Sequence, residues 1–339
     1  MASGKVARRA VVGEIAALLD SPEVAALIAE LDALRWRGRG RKGYGARALV
    51  GACLVKALYG LPTWTRTVSL IEDHPGLQDA LGGSPSVWAC YRFTVKLRQH
   101  SDALADCLDR VAASLQATFP GLGEDVAIDA SDMPAFANGQ RYVSKGGPER
   151  ERFSDPDASW GHRSAISTRA AGSFYGYKVH AAVCTRTGLP LAWRVETARR
   201  NESLYLAPLL DALRARGFRP ETCVADKSYD SNRCHSECEE RDVHPIIPLK
   251  GERGRQIVMP IIEGATRFNP RIQRHTQRFR SLYRGRAAIE REFGRLKHDY
   301  GFAPLRVRGQ KRVALHADLV MLARLTLALN RARAVPLAA

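Results

Sequence analysis

From Glu124 onward the chain alternates short apolar runs with amphipathic stretches, and that alternation restricts this part to an α/β fold. Asp125 to Ala130 reads as a first strand. GYKVHAAVCT (Gly176 to Thr185) and LPLAWRVETA (Leu189 to Ala198) read as a hairpin across the Thr187-Gly188 turn. The intervening Ser144 to Gly172, rich in Gly, Pro and Ser, reads as a polar loop. A helix is predicted from Glu202 to Arg216, opened by Asn201 as cap and closed by Gly217. The strand TCVAD, a helix over Ser231 to Arg241, the strand HPIIPL and a long basic helix from Gln277 to His298 follow, with a last helix over Val313 to Arg333. Three strands, helix, strand, helix, strand, helix is the order of a mixed sheet with flanking helices.

The first 120 residues are of another kind. Val12 to Leu34 has apolar residues at helical spacing, broken at Ser21 and Pro22, where Ser21 can cap and Pro22 can take the first helical position. Further helices are predicted over Ala46 to Tyr59 and from Thr63. The expected division is therefore an all-α region over 1–120 and an α/β region over 121–339. Between the first two helical stretches lies RWRGRGRKGYGAR, with six basic residues and no acid. Its glycines predict a flexible basic arm, and Arg35, Arg37, Arg39, Arg41 and Lys42 are candidates for tracking phosphates. In GSPSVWACYRFTVKLRQH a Ser-Pro turn opens a helix that interleaves aromatics with cations. Such a helix suits DNA contact, although burial of Trp88 and Phe93 against the other helices is the favoured reading of those two aromatics.

Lysine and arginine number 52 against 35 acids, a formal charge of +17, with arginine in excess. This favours a phosphate-bearing partner, nucleic acid above all. No apolar stretch approaches the ~20 residues a membrane-spanning helix needs, and no signal-like core follows Met1 to Ala10, so a soluble, cytoplasmic protein without membrane partners is expected. Seven scattered cysteines fit reduced thiols rather than a disulfide framework. Cys223, Cys234, His235, Cys238 and His244 lie close in sequence but lack paired CxxC spacing, which argues against a zinc site.

Three acids stand out. Asp129 and Asp226 each end an apolar strand-like run, in DVAIDAS and TCVADKSYD. Glu290 lies in the long basic helix, where at about 100° per residue Tyr283, Arg286, Glu290 and Lys297 share a strip about 60° wide. Glu292 lies across the apolar stripe of Leu282, Ile289, Phe293 and Leu296, away from those cations. Asp132 competes with Asp129, but a strand ending at Asp129 leaves Asp132 in the loop. Lys178 and His180 alternate with Tyr177 and Val179 on the neighbouring strand, and His180 suits either an approach to the acids or a sheet interior. The segment 278–312 carries eleven Lys and Arg against three acids, a suitable face for DNA. Converging carboxylates from distant segments are what divalent ions need, and two Mg²⁺ ions about 3.5–4 Å apart serve phosphoryl transfer.

The spacing Tyr-x2-Arg-x3-Glu-x6-Lys of Tyr283, Arg286, Glu290 and Lys297 resembles the signature of a large group of DDE transposases of bacterial insertion sequences. FYGYKVHAAVCTRTGLPLAWRVETARRNES looks like that family's second and third strands, VADKSYDS like the segment bearing its second acid, and GRLKHDYGFAPLRVRG like its stretch after the glutamate. The amino-terminal helices, with ARALVGACLVKALYGLPTWTRTVSLIEDHPGLQDALG and PSVWACYRF, resemble the DNA-binding region ahead of such domains. The resemblance implies a ribonuclease H-like catalytic fold and a triad of Asp129, Asp226 and Glu290 as catalytic and metal ligands. It further implies Mg²⁺ with Mn²⁺ as a substitute, and Tyr283, Arg286 and Lys297 as a grip on DNA. The partners it implies are element ends and target duplex, with a homodimer in the nucleoid-associated DNA complex. Cutting without joining, or DNA binding without catalysis, are the alternatives. Two family features differ: Ser228 replaces a usual glycine, where it is expected to touch no ligand, and Glu202-Ser203 replaces a common His-Asp pair. The stretch between Asp226 and Glu290 is too short for the large β insertion of some relatives.

Overall fold

The computed structural model describes residues 6–34, 43–139, 153–163, 170–250, 267–268 and 270–334. Arg35, Arg37, Arg39, Arg41 and Lys42 lie outside the described residues. The chain forms two compact units, Met1–Thr118 with Arg295–Ala339, and Phe119–Gly294.

The first unit is all helical. It opens with α1 (Val6–Asp20), α2 (Pro22–Ala33), α3 (Ala46–Leu58), α4 (Trp64–Glu72), α5 (Pro75–Leu81), α6 (Val87–Gln99) and α7 (Ser101–Thr118). The break at Ser21-Pro22 is as the sequence predicts, with Pro22 in the first turn of α2. Ser21 makes no side-chain cap; its hydroxyl donates instead to the Leu18 carbonyl at 2.7 Å. Thr63 does cap α4, accepting from Arg66 N. Helix α3 is buried on nearly every side, as expected of a central helix.

The second unit is built on one six-stranded mixed sheet: β1 (Asp125–Pro134), β2 (Ser159–Arg163), β3 (Gly172–Cys184), β4 (Pro190–Thr197), β5 (Thr222–Val224) and β6 (His244–Ile246). β3 is antiparallel to β1 and to β4, while β5 is parallel to β1 and β6 parallel to β5. At Gly176, β3 pairs with Ser159 of β2 on one edge and Pro134 of β1 on the other, so β2 and β4 follow one another along the same edge of β3. Helices α8 (Leu206–Ala215), α9 (Asn232–Glu239) and α10 (Gln277–Tyr283) flank the sheet, and α11 (Ala287–Asp299) follows, running on past Gly294 into the segment that belongs to the helical unit. This is a ribonuclease H-like α/β fold, with an all-helical amino-terminal region before it.

Several elements differ from the reading of the sequence. β2 falls inside the segment 144–172 expected to be loop, and β1 runs five residues past Asp129 to Pro134, so Asp132 is in the strand rather than beyond it. The predicted helix from Glu202 begins as a 3₁₀ turn, Glu202–Tyr205, and becomes α-helical only at Leu206. The closing helix α12 (Gln310–Ala334), placed by sequence in the α/β region, packs against α3, α7, α1 and α6. It is also long and apolar enough by length and composition to cross a membrane, contrary to expectation. Its side chains from Val313 to Leu329 are nevertheless largely buried among these helices, as in a core helix.

Candidate active site

β1 and β5 place the two aspartates. Their parallel register pairs Asp125 with Thr222, Val126 with Cys223 and Ala127 with Val224. Two residues further along each segment stand Asp129 and Asp226, at equivalent positions beyond the end of β5. The buried run Val126, Ala127 and Ile128 anchors β1 in the core. Asp129 and Asp132, three apart in one strand, point to opposite faces. This alternation, rather than an end of the strand, separates them.

The third segment is not one helix. α10 ends at Tyr283, a 3₁₀ turn covers Arg284–Arg286, and α11 starts at Ala287. The turn makes a close approach: a Cβ on Gly285 would stand 2.9 Å from the Thr185 Cβ, so the turn lies against the β3–β4 hairpin with no room for a side chain. Tyr283, Arg286 and Glu290 therefore do not share a strip of a continuous α-helix. Arg286 bridges the acids instead: its Nη1 donates to Glu290 Oε1 at 2.6 Å and its Nη2 lies 3.5 Å from Asp129 Oδ2. Lys297 follows on α11, beyond Gly294.

Burial dominates the electrostatics. Asp129 is 17% exposed. Its pKa is pushed up to about 7, burial being the main cause, with Asp226 and Glu202 adding to it and the Ala130 N–H and Arg286 opposing it. Tyr283 is shifted upward by burial and by Asp226, Glu290 and Asp129. Burial lowers the pKa of Arg286 less than Asp129 and Glu290 raise it, so the net shift is upward. Glu290 itself is 56% exposed, whereas Glu292 is fully buried.

Three contributors escape the reading of the sequence. Ser228 does touch a candidate ligand: its N–H donates to Asp226 Oδ1 at 2.6 Å, and its hydroxyl donates to the same oxygen. Asp226 thereby caps the short turn Lys227–Tyr229. Glu202 is a fourth acid, held by buried Lys178 at 2.6 Å. Tyr229 is fully buried with no hydrogen-bond partner for its hydroxyl among the described residues, and its pKa is driven far up by burial and by Asp129, Glu202 and Asp226. Lys178 is the one signal of them in the sequence, since a lysine in an apolar strand implies a buried anion. His180 stacks on Tyr205 with centroids 4.1 Å apart, and burial lowers its pKa to about 3, so it is a neutral interior ring.

The donors here are carboxylate oxygens, the hard ligands that Mg²⁺ and Mn²⁺ take. Asp129 is pushed up to about 7 despite the nearby Arg286, and Tyr229 feels three acids at once, so a divalent cation fits this negative basin chemically. Among the described residues no three His, Cys, Asp or Glu side chains stand close enough to hold one ion together. Asp129 and Glu290 already share a cation, the Arg286 guanidinium.

The family model described as a transposase DDE domain matches residues 120–326. A Burkholderia cepacia protein that bears the name of a transposase for insertion sequence element IS402 is 26% identical over 194 residues, 54% of this chain and 79% of that protein. No solved structure matches.

Proposed function

The chain belongs to the transposase DDE domain family, and on that footing we propose that it is the DNA transposase of an insertion sequence, binding the element's terminal repeats and cutting and joining strands by a cut-and-paste route. The observation that carries the reading is the joining of Asp129 and Glu290 through Arg286, with Asp226 close enough to Asp129 to raise its pKa. Asp129, Asp226 and Glu290 are the proposed catalytic acids and the residues that would hold Mg²⁺ or Mn²⁺. When bound, such ions lower the pKa of an attacking water or hydroxyl and neutralise the leaving oxygen.

The proposed chemistry has two steps. A water oxygen attacks the scissile phosphorus, the bond from phosphorus to the 3′ oxygen breaks, and that oxygen leaves as a hydroxyl with a 5′ phosphate opposite. The freed 3′-hydroxyl then attacks a target phosphorus and displaces its 3′ oxygen, conserving the number of phosphodiester bonds. In this proposal Arg286 changes partners when DNA binds. It trades its carboxylates for a phosphate of the scissile strand, which releases Glu290 toward Asp129 and Asp226. Tyr283 packs on Phe279, with ring centroids 6.1 Å apart, and presents its hydroxyl to the same acids. Lys297 and the basic arm of Arg35, Arg37, Arg39, Arg41 and Lys42 extend the DNA contact in this proposal. A pair of chains bridging two ends completes it.

The test is cleavage of duplex carrying the sequences that flank the coding region, with Mg²⁺ or Mn²⁺. We expect nicks with 3′-hydroxyl ends and then joined products, both lost in Asp129→Asn, Asp226→Asn and Glu290→Gln. Joined products separate a transposase from a nuclease that only cuts. Full activity in Glu290→Gln would remove that residue from the triad.

A further inference from the structure

We propose that the outward face of α6 is a docking surface for duplex DNA, an inference that rests on the transposase reading and says which face of the helical unit meets the duplex. α6 is held by its inner side, where Ala89, Cys90, Phe93 and Leu97 are buried. The outer side is unusual. Of the eight exposed large apolar side chains among the described residues, three stand on this helix: Trp88 at 71%, Tyr91 at 47% and Val95 at 45%. Their spacing of three and four puts them in one stripe, with exposed Arg92 inside it. Trp88 and Tyr91 support each other, with ring centroids 6.0 Å apart and planes tilted by 51°. The sequence favours burial of both Trp88 and Phe93; Phe93 is buried, but Trp88 is the most exposed large apolar side chain described.

Charge selects the occupant. α6 has three cations, Arg92, Lys96 and Arg98, and no acid. The Lys96 ammonium is engaged with the Leu31 carbonyl at 3.0 Å, which leaves Arg92 and Arg98 for an anion. Arg98 also faces a like charge, Arg312 at the start of α12, and its pKa is lowered by burial and by that neighbour. A repulsive pair of arginines beside an acid-free helix is relieved by phosphate. A second copy of the chain is the poorer occupant, because a twofold contact through this stripe would set Arg92 near its own mate. The dimensions also agree: a helix with its side chains is about 10–12 Å across, against a major groove about 12 Å wide. In that groove aromatic and aliphatic groups meet thymine methyls and an arginine meets guanine or phosphate, near the amino-terminal half of the entering helix.

The experiment is fluorescence anisotropy of the full chain with a fluorescein-labelled duplex of mixed sequence over a range of salt. Variants are Trp88→Ala, Trp88→Phe and Arg92→Ala, with Trp160→Ala as control, since Trp160 is an exposed tryptophan of the other unit. We expect Trp88→Ala to weaken binding about tenfold, Trp88→Phe to keep most of it, and Arg92→Ala to lower the slope of log affinity against log salt by about one. Trp160→Ala should bind as the parent does. Parent-like affinity and slope in both Trp88→Ala and Arg92→Ala would overturn the surface while leaving DNA binding intact. Failure of the parent itself to bind duplex at low salt would overturn the transposase reading beneath it. A change of mass by light scattering in Trp88→Ala, without loss of DNA affinity, would assign the stripe to a second copy and overturn the proposal too.

Discussion

A guanidinium between two carboxylates does for this site what solvent cannot. Arg286 touches Glu290 at 2.6 Å and approaches Asp129 to 3.5 Å, yet Asp129 still titrates near 7, so at neutral pH the residue is divided between its two protonation states. In an unfolded chain an aspartate titrates near ~3.9. The fold therefore binds a proton that the unfolded chain releases, and this group's contribution to stability is full below about pH 4 and is lost as pH rises through about 7. A shift of this size is on the order of a few kcal/mol. Asparagine removes the ionisation, so metal-free Asp129→Asn should melt above the parent at pH 8, with the gap closing toward pH 4. Equal melting temperatures at both pH values would show that Asp129 is not desolvated. Arg286→Gln should act the other way. Without the cation that opposes burial, the Asp129 midpoint moves above 7 and the metal-free protein loses stability at pH 8, read by the same melts.

The elements that deliver these residues depend on close backbone approach as much as on side chains. Gly176 sits where β3 is flanked by β1 and β2, and a Cβ there would lie 2.3 Å from the Met133 carbonyl oxygen and 2.8 Å from the Ala135 nitrogen. Backbone cannot move aside cheaply, so Gly176→Ala should cost about 2 kcal/mol or more in urea unfolding, from forced separation of β1 and β3. Gly294, inside α11 with open space where a methyl would stand, should instead gain up to about 1 kcal/mol as alanine. Parallel losses at both positions would refute the distinction. Such contacts explain what could be read in advance. The β3–β4 hairpin, α3, α8 and α9 follow from periodicity and caps, which are local, as does the position of Asp129 and Asp226 after apolar runs. The extension of β1 through Ser131-Asp132-Met133-Pro134 reads locally as a turn, and only pairing with β3 makes it strand. The glycine in the turn Arg284–Arg286 is set by Thr185, about a hundred residues earlier in the chain, a contact no local pattern shows. Glu202, Ser228 and Tyr229 come from 3₁₀ turns, which carry no period to find, so their approach to the acids is apparent only in the fold.

At the scale of the whole chain, the cysteines report on both units at once. All seven are buried and free, with Cys53, Cys90 and Cys107 in the helical unit and Cys184, Cys223, Cys234 and Cys238 in the sheet unit. Burial pushes Cys90 and Cys107 up to about 12 and raises Cys53 further. Cys238 is raised first by its hydrogen bond with Cys223 and then by burial. The thiolate is the reactive form, and a thiol titrating near 12 is about one part in ten thousand ionised at pH 8. Access is closed as well, so labelling by a charged disulfide reagent has to wait for opening of the surrounding structure. The native chain at pH 8 should therefore release almost no thionitrobenzoate over minutes, and the denatured chain should release seven equivalents. Mild denaturant adds a finer expectation. If each unit opens cooperatively on its own, the thiols should appear as groups of three and four, assignable by mass spectrometry to residues before 119 and after it. A single fast thiol in the native chain would contradict the packing around that cysteine. Seven thiols rising together would instead show that the two units unfold as one cooperative body.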